Sequence, residues 1–248
     1  MIELRDIVNE RTGAVWSYRP FSEACRRVVE RGEWATFRQD EAIANVVEPV
    51  SEAVGISCAA TIAVKFAARW DDVAAIANDT VGGPAIVEFD GVEHAPATWR
   101  YILRALELGA AFGTLDGLTI VEVGGGYGGL AAVIVQLFEP AAYAIYDAAE
   151  VSMLQAGYLA ALGIFDVATI SEMPAEPVKY DLFVSDFALC ELSAEVRQEY
   201  GDKLMRLARC GAVGWNENAG ASALVGAALV PGELGLTVSA ERFMWGGA

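Results

Sequence analysis

The run Ile120-Val121-Glu122-Val123 stops at Gly124-Gly125-Gly126-Tyr127-Gly128-Gly129, and an apolar segment from Leu130 to Phe138 follows at once. A strand that ends in such a loop and restarts as a helix turns with positive φ and leaves its main chain open to a ligand. The run therefore predicts the first strand–helix unit of an open α/β sheet. The next apolar strand, Tyr143-Ala144-Ile145-Tyr146, closes on Asp147, 21 residues after Gly126. A carboxylate at that spacing accepts the hydroxyls of a bound ribose.

Two cofactor classes use such a unit. Gly124-x-Gly126-x-x-Gly129 fits the dinucleotide fingerprint, but that match is weak by itself, and a plain glycine turn is a third reading. Glu122 separates them. An acid two residues before the first glycine is expected to point at the mouth of the strand, where it repels a pyrophosphate and pairs with an ammonium. The reading favours S-adenosylmethionine (SAM), with its amino-acid ammonium and sulfonium, over NAD.

With 248 residues the chain is long enough for one large core. Its 54% apolar share is rich in alanine, and the longest uncharged stretch, Val123 to Phe138, contains five glycines, so no segment reads as membrane-spanning. Met1 to Asp6 lacks the basic start and apolar run of a secretory signal, and a cytoplasmic protein is expected. Cys25, Cys58, Cys190 and Cys210 form no Cys-x-x-Cys pair, so neither a zinc site nor a disulfide framework is expected. A formal charge of −17 disfavours nucleic acid and anionic membranes as partners. A small-molecule substrate fits better, and apolar cap surface suits a homodimer.

From about Phe21 to Asn78 the pattern is helical, with Val46, Val47, Val50 and Val54 recurring at three- and four-residue steps. Residues 1–80 are read as a helical cap and 81–248 as the ligand-binding core. The cluster Asn78 to Pro84 ends the helices. Asp90-Gly91, between Ala85–Phe89 and Val92–His94, predicts a hairpin. Ala97 to Phe112 is expected as a helix, with Pro96 before it and Gly113 after it. Later elements are a helix from Val151 to Leu162, strands at Asp166–Ile170 and Asp181–Ser185, a helix from Ala194 to Arg209, a strand from Ala212 to Trp215, and an edge strand within Gly235–Trp245. The alternation predicts a doubly wound, Rossmann-like α/β sheet beneath an N-terminal helical cap.

Ligands collect beyond the carboxyl ends of such strands. Those ends carry Glu122 with the loop glycines Gly124, Gly126 and Gly128, then Asp147, Ser185-Asp186, and Asn216-Glu217-Asn218. Tyr127 offers an aromatic face to a cation, or is a loop tyrosine with no such role. Transfer of a group to a hydroxyl needs a base, and Asp186, Glu191 and His94 are the candidates by residue type. His94 is the chain's single histidine and sits in a hairpin, where a structural role competes. Glu191 either projects into an apolar pocket or serves a helix start. Asp186, Glu191 and Glu217 are cation ligands by type, yet no spacing among them is diagnostic, so the sequence names no metal ligands and leaves metal dependence open.

Several ordered blocks resemble the sugar O-methyltransferase family, a branch of the class I SAM-dependent methyltransferases. They are Asn78-Asp79 with Gly82-Gly83-Pro84, Ala97-Thr98-Trp99-Arg100-Tyr101, Val121 to Gly129, Tyr146-Asp147, Leu154-Gln155-Ala156-Gly157-Tyr158-Leu159 and Tyr180 to Ser185. The resemblance runs from about Asn78 to Asn216. It implies a SAM-binding sheet contacted by Glu122, the glycines and Asp147, and it adds Arg100 and Tyr101 from the preceding helix. Cys190-Glu191-Leu192 stands where the family has Ser-Glu-Leu, and Ser185-Asp186-Phe187 where it has Ser-Asn-Tyr, both on the presumed acceptor side.

The expected activity is methyl transfer from SAM to a hydroxyl of a small sugar or natural-product intermediate. Three rivals stand beside it: a SAM-consuming cyclase that releases methylthioadenosine and makes a small cyclic amino acid, a NAD-dependent oxidoreductase, and a non-catalytic SAM-binding partner protein.

Overall fold

A computed structural model of the chain describes residues 17–214, Cys190 by its backbone alone, and the backbones of four short strands outside that span. Two of these, β1 (Ile7–Val8) and β2 (Val15–Trp16), pair antiparallel. The cap follows as α1 (Arg19–Arg31), a 3-10 turn at Phe37–Gln39, α2 (Glu41–Val47), α3 (Glu52–Lys65), a second turn at Ala67–Arg69 and α4 (Trp70–Ala74). Local chemistry sets these boundaries. Gly32 ends α1 in the left-handed region, and the Asp40 and Ser51 side chains accept the Ala42 and Val54 amides to cap α2 and α3.

A hairpin of β3 (Val87–Phe89) and β4 (Val92–His94) turns at Asp90 and Gly91, both with positive φ, as the Asp-Gly pair predicts. Helix α5 (Pro96–Phe112) starts on its proline and ends before Gly113. The sheet units are β5 (Thr119–Val123), α6 (Gly129–Leu137), β6 (Ala142–Tyr146), α7 (Ala149–Ala161), β7 (Val167–Ile170), β8 (Leu182–Asp186), α8 (Ala188–Glu191), α9 (Ala194–Lys203) and β9 (Cys210–Gly214). Then come β10 (Thr237–Ser239) and β11 (Arg242–Trp245).

Five strands run parallel in the order β7-β6-β5-β8-β9, and β11 and β10 extend the sheet beyond β9. β11 runs antiparallel to both of its neighbours. This is a doubly wound Rossmann-like sheet. Its chain order reverses between β5 and β8, which places the ligand crevice beyond the carboxyl ends of those two strands.

The pleat divides the core. Ile120, Tyr143, Ile145, Leu182 and Val184 join α5, α6, α7 and the buried residues of the cap in one continuous cluster. Val121, Val123, Ala144, Tyr146 and Phe183 face the other way, against Leu189, Tyr200, Leu204 and Met205. Side chains alternate along a strand, so Glu122 lies on the cap-facing side with Ile120.

Several details depart from the sequence reading. The helix expected from Ala194 to Arg209 stops at Lys203 and gives way to a 3-10 turn at Met205–Leu207. A four-residue helix, α8, follows β8. The final segment holds two strands, with β10 at the edge and β11 beside β9. Among the described residues no single helix is long and apolar enough to cross a membrane. The bent pair α2 and α3 reaches that length and composition together, but its Ile43, Val47, Ala59 and Ile62 are buried in the core.

Candidate functional site

The glycine loop follows β5, with Gly124, Gly126 and Gly128 at φ of 76°, 56° and 93°. These values favour glycine, and the loop's surroundings admit little else. A Cβ on Gly124 would sit 2.0 Å from the Ala188 Cβ of α8, and one on Gly126 would sit 3.2 Å from Val47 of α2. The loop is therefore bracketed by α8 on one side and the cap on the other.

Asp147 ends β6 beside this loop. Its Oδ1 accepts the Ala148 amide at 2.8 Å, and its Oδ2 accepts the Gln155 side-chain amide at 2.9 Å. Gln155 also donates to the Gly126 carbonyl at 2.9 Å. Burial pushes the Asp147 carboxyl up to about 7, against hydrogen bonds from Ala148, Gln155 and the Gly125 and Gly126 amides. Gln155 was visible in the sequence only as part of a family-like block. Its packing role needs α7 docked against the loop.

Glu122 does not project from the mouth of the strand, contrary to the sequence expectation. It is 2% exposed, on the cap-facing side of the pleat, with Tyr143 donating to its Oε2 at 2.9 Å. Its carboxyl lies beneath the loop, 3.4 Å from where a Gly125 Cβ would stand. Burial pushes this carboxyl up to about 8, reinforced by Asp186 and Asp147 and opposed by Tyr143 and Arg104.

Across the crevice, Phe187 adopts φ 71°, uncommon for a bulky residue and a mark of a constrained site. Asp186 pairs with Arg104 of α5, Oδ1 lying 2.9 Å from Nη2. One turn earlier, the Arg100 guanidinium lies over the rings of Tyr101, at 4.9 Å, and Phe187, at 5.9 Å. Tyr101 is buried, and its hydroxyl donates to the Val47 carbonyl at 3.3 Å. Glu191, at the end of α8, accepts a hydrogen bond from the Tyr18 hydroxyl, and burial raises its carboxyl above the usual range.

Ser185 turns inward. Its hydroxyl donates to the Val123 carbonyl at 2.9 Å and accepts the Leu189 amide, tying β5 to α8. Tyr127 is fully buried against Phe37, Tyr101 and Tyr158, and the Arg38 guanidinium covers its ring face at 4.8 Å. That face belongs to the cap. Asn216, Glu217 and Asn218 lie outside the described residues, and no cluster of metal-ligating side chains occurs among the described ones.

His94 stands apart from this crevice. It is 2% exposed, with Nδ1 3.0 Å from Asp79 Oδ2, Nε2 2.9 Å from the Val73 carbonyl, and its ring edge-on to Trp99. Both nitrogens are engaged, so the sequence candidate for a base is a core residue. Asp79 also takes Arg38, Thr98 and the Ala95 amide, and these bonds with His94 hold its carboxyl below the usual range despite burial. Asn78 donates to the Gly129 carbonyl at 2.9 Å, and its own carbonyl takes Arg38 and Tyr158. The Asn78-Asp79 pair is thus the polar joint between the cap and the start of α6.

At the strand ends Asp186, Asp147 and Arg104 all act on the Glu122 carboxyl, and Arg104 pairs with Asp186. Glu122 and Asp147 carry raised pKa values because the protein supplies too little positive charge to offset their burial.

No family model matches the chain, and no curated protein does. Solved structures of similar fold do. One, described as a SAM-dependent methyltransferase from Methanococcus maripaludis, is 14% identical, with 58% of this chain and 83% of that one aligned at a TM-score of 0.45. Another, described as a sarcosine dimethylglycine methyltransferase from Galdieria sulphuraria, is 19% identical over 58% of this chain and 59% of that one, at 0.43. A third, PigF with S-adenosylhomocysteine (SAH), is 12% identical over 60% and 58%, at 0.42. At these identities the likeness is one of fold alone.

Proposed function

We propose that the chain is a SAM-dependent methyltransferase that acts on a hydroxyl of a small molecule, a sugar or natural-product intermediate. The observation that carries this reading is the pair of buried carboxyls beside the glycine loop, with pKa values raised to about 8 for Glu122 and about 7 for Asp147. A positively charged ligand lets both ionise and recovers the cost of their burial, whereas a pyrophosphate holds them neutral and gains nothing from them.

Residues at the crevice suit such a ligand. Unpartnered buried polar atoms, Gln155 Oε1 and the Arg104 Nε and Nη2, border it. Asp147 would hold the ribose hydroxyls, which take over the lone pairs that the Gly125 and Gly126 amides now use. Glu122, buried beneath the loop, would supply negative charge that favours the ammonium from below. When bound, SAM supplies an electrophilic methyl group on a sulfonium.

The chain's own part is then to position an acceptor hydroxyl and remove its proton. Glu191 is suited to the second task, since burial raises its carboxyl above the usual range and Tyr18 orients it. Asp186, held by Arg104, orients the acceptor. The cap excludes water through Val47, packed on Gly126. A net charge of −17 argues against a nucleic-acid acceptor.

Tyr18 closing on Glu191 from the cap also favours a second reading, in which the site admits no acceptor and the amino group of SAM attacks its own side chain. Incubating the protein with SAM and a panel of hydroxylated small molecules separates the two. SAH formed only with an acceptor supports methyl transfer, and methylthioadenosine formed without one supports cyclisation. Under the first outcome Glu191→Gln should lower turnover about 10²- to 10⁴-fold while SAH binding is kept. Unchanged turnover removes Glu191 from the mechanism.

A further inference from the structure

We propose that Tyr143 is a positioning residue for the ligand's ammonium: from inside the core it holds Glu122 as a negative charge beneath the glycine loop without cancelling that charge. This rests on the SAM reading above. Tyr143 lies on β6 opposite Ile120 in the parallel register, and its ring stands in the cap-facing apolar cluster with Ile145, Leu182 and Val184. The residue is 3% exposed, and its hydroxyl donates to Glu122 Oε2 at 2.9 Å. A phenylalanine fills the same space and buries no polar atom. Replacing both partners of a buried hydrogen bond by apolar groups of the same shape is nearly neutral for stability or improves it. The pair therefore answers to something other than packing.

The surroundings of Glu122 show what that is. Arg104 from α5 favours its ionised form, Asp147 from β6 and Asp186 from β8 oppose it, and Tyr101 from α5 also senses its charge. Arg104 is itself paired with Asp186, 2.9 Å away. An arginine in place of Tyr143 would stabilise the carboxylate but neutralise it. A neutral hydroxyl stabilises the ionised form and leaves its full charge for a ligand. Tyr143 stays protonated throughout, since burial and the acid beside it hold its phenol well above the usual range.

Calorimetry between about pH 6 and 9 tests the assignment, with SAH, which carries the ammonium, and with 5′-methylthioadenosine, which shares the nucleoside but lacks the amino-acid end. In the wild type, SAH affinity should rise with pH as Glu122, pushed up to about 8 in the free protein, ionises. Tyr143→Phe should move that rise to higher pH, weakening SAH about tenfold at pH 7 and progressively less toward pH 9. Methylthioadenosine should stay within about twofold of wild type at each pH, which also reports an intact fold. In the Glu122→Gln background the same substitution should alter SAH affinity less than about twofold. If the phenylalanine variant fails to fold, 3-fluorotyrosine placed at position 143, a more acidic donor on the same ring, should move the rise to lower pH. A pH profile that either replacement leaves superimposed on wild type overturns the assignment. So does an equal loss of both ligands at every pH, the mark of a merely structural hydroxyl. A wild-type protein that binds neither nucleoside overturns the SAM reading itself, and the role of Tyr143 falls with it.

Discussion

The Gln155 amide donates to Asp147 Oδ2 at 2.9 Å and, through the Gly126 carbonyl at the same distance, fastens that carboxyl to the glycine loop. The contact orients Asp147 but brings no positive charge, which is why its pKa stays near 7. Glu122, near 8, is in the same position.

The first consequence is a pH-dependent stability. Both folded pKa values lie above the ordinary values of 3.8 and 4.5, so between about pH 4 and 8 the folded chain holds more protons than the unfolded one, and stability falls as pH rises through that window. Below it, carboxylates with lowered pKa, such as Asp79 and Asp181, lose their contribution. The ligand-free protein should therefore have its highest Tm near pH 4. Asp147→Asn should flatten the decline toward pH 8 and raise the Tm there, by about 2–4 °C for each kcal/mol relieved. An unaltered slope in scanning calorimetry would remove Asp147 as its source.

Ligand binding should move protons in a definite direction. A cation that ionises Glu122 and Asp147 releases protons at pH 7, so SAM affinity rises with pH and the binding heat varies with the ionisation enthalpy of the buffer. Titrations in two buffers at one pH measure this. Proton uptake, the response to an anionic ligand, contradicts the charge assignment.

Much of this was legible in the sequence because it is local. The glycine run, Asp147 at the next strand end, the Asp90-Gly91 turn and the Pro96–Gly113 helix each carry their signal within a few residues. The direction of Glu122 was not legible, since it depends on which face of the pleat the cap covers. Arg104 reads as a polar residue inside a helix until β8 brings Asp186 beside it. His94 misled because residue type suggests a base, whereas Asp79 and Val73, 15 and 21 residues away, make it a joint of the core. The four-residue α8 was too short to leave a periodic trace.

Gly124→Ala should damage both stability and binding. The new Cβ meets Ala188 at 2.0 Å in a backbone with φ 76°, combining backbone strain with overpacking at a cost of about 3 kcal/mol. Gly113→Ala, at φ 87° with open space around it, isolates the backbone part and should cost about 1 kcal/mol. Equal urea midpoints for the two variants would deny the close packing of α8 on the loop.

Asp79→Ala should be the most damaging single change in the cap. It strips a buried partner from Arg38, His94 and Thr98 together, and breaking a buried charge pair costs about 3–5 kcal/mol. Chemical denaturation measures the loss. A change under about 1 kcal/mol would mean that the cap is held by apolar packing alone.

The central claim is that the loop after β5 receives a cationic amino-acid nucleoside. Titration calorimetry of the wild-type protein and of Glu122→Gln, with SAM, SAH and NADH, tests it most directly. The account predicts binding of SAM and SAH to the wild type, weakened by the substitution, and no uptake of NADH. Tight binding of NADH with none of SAM or SAH would contradict it.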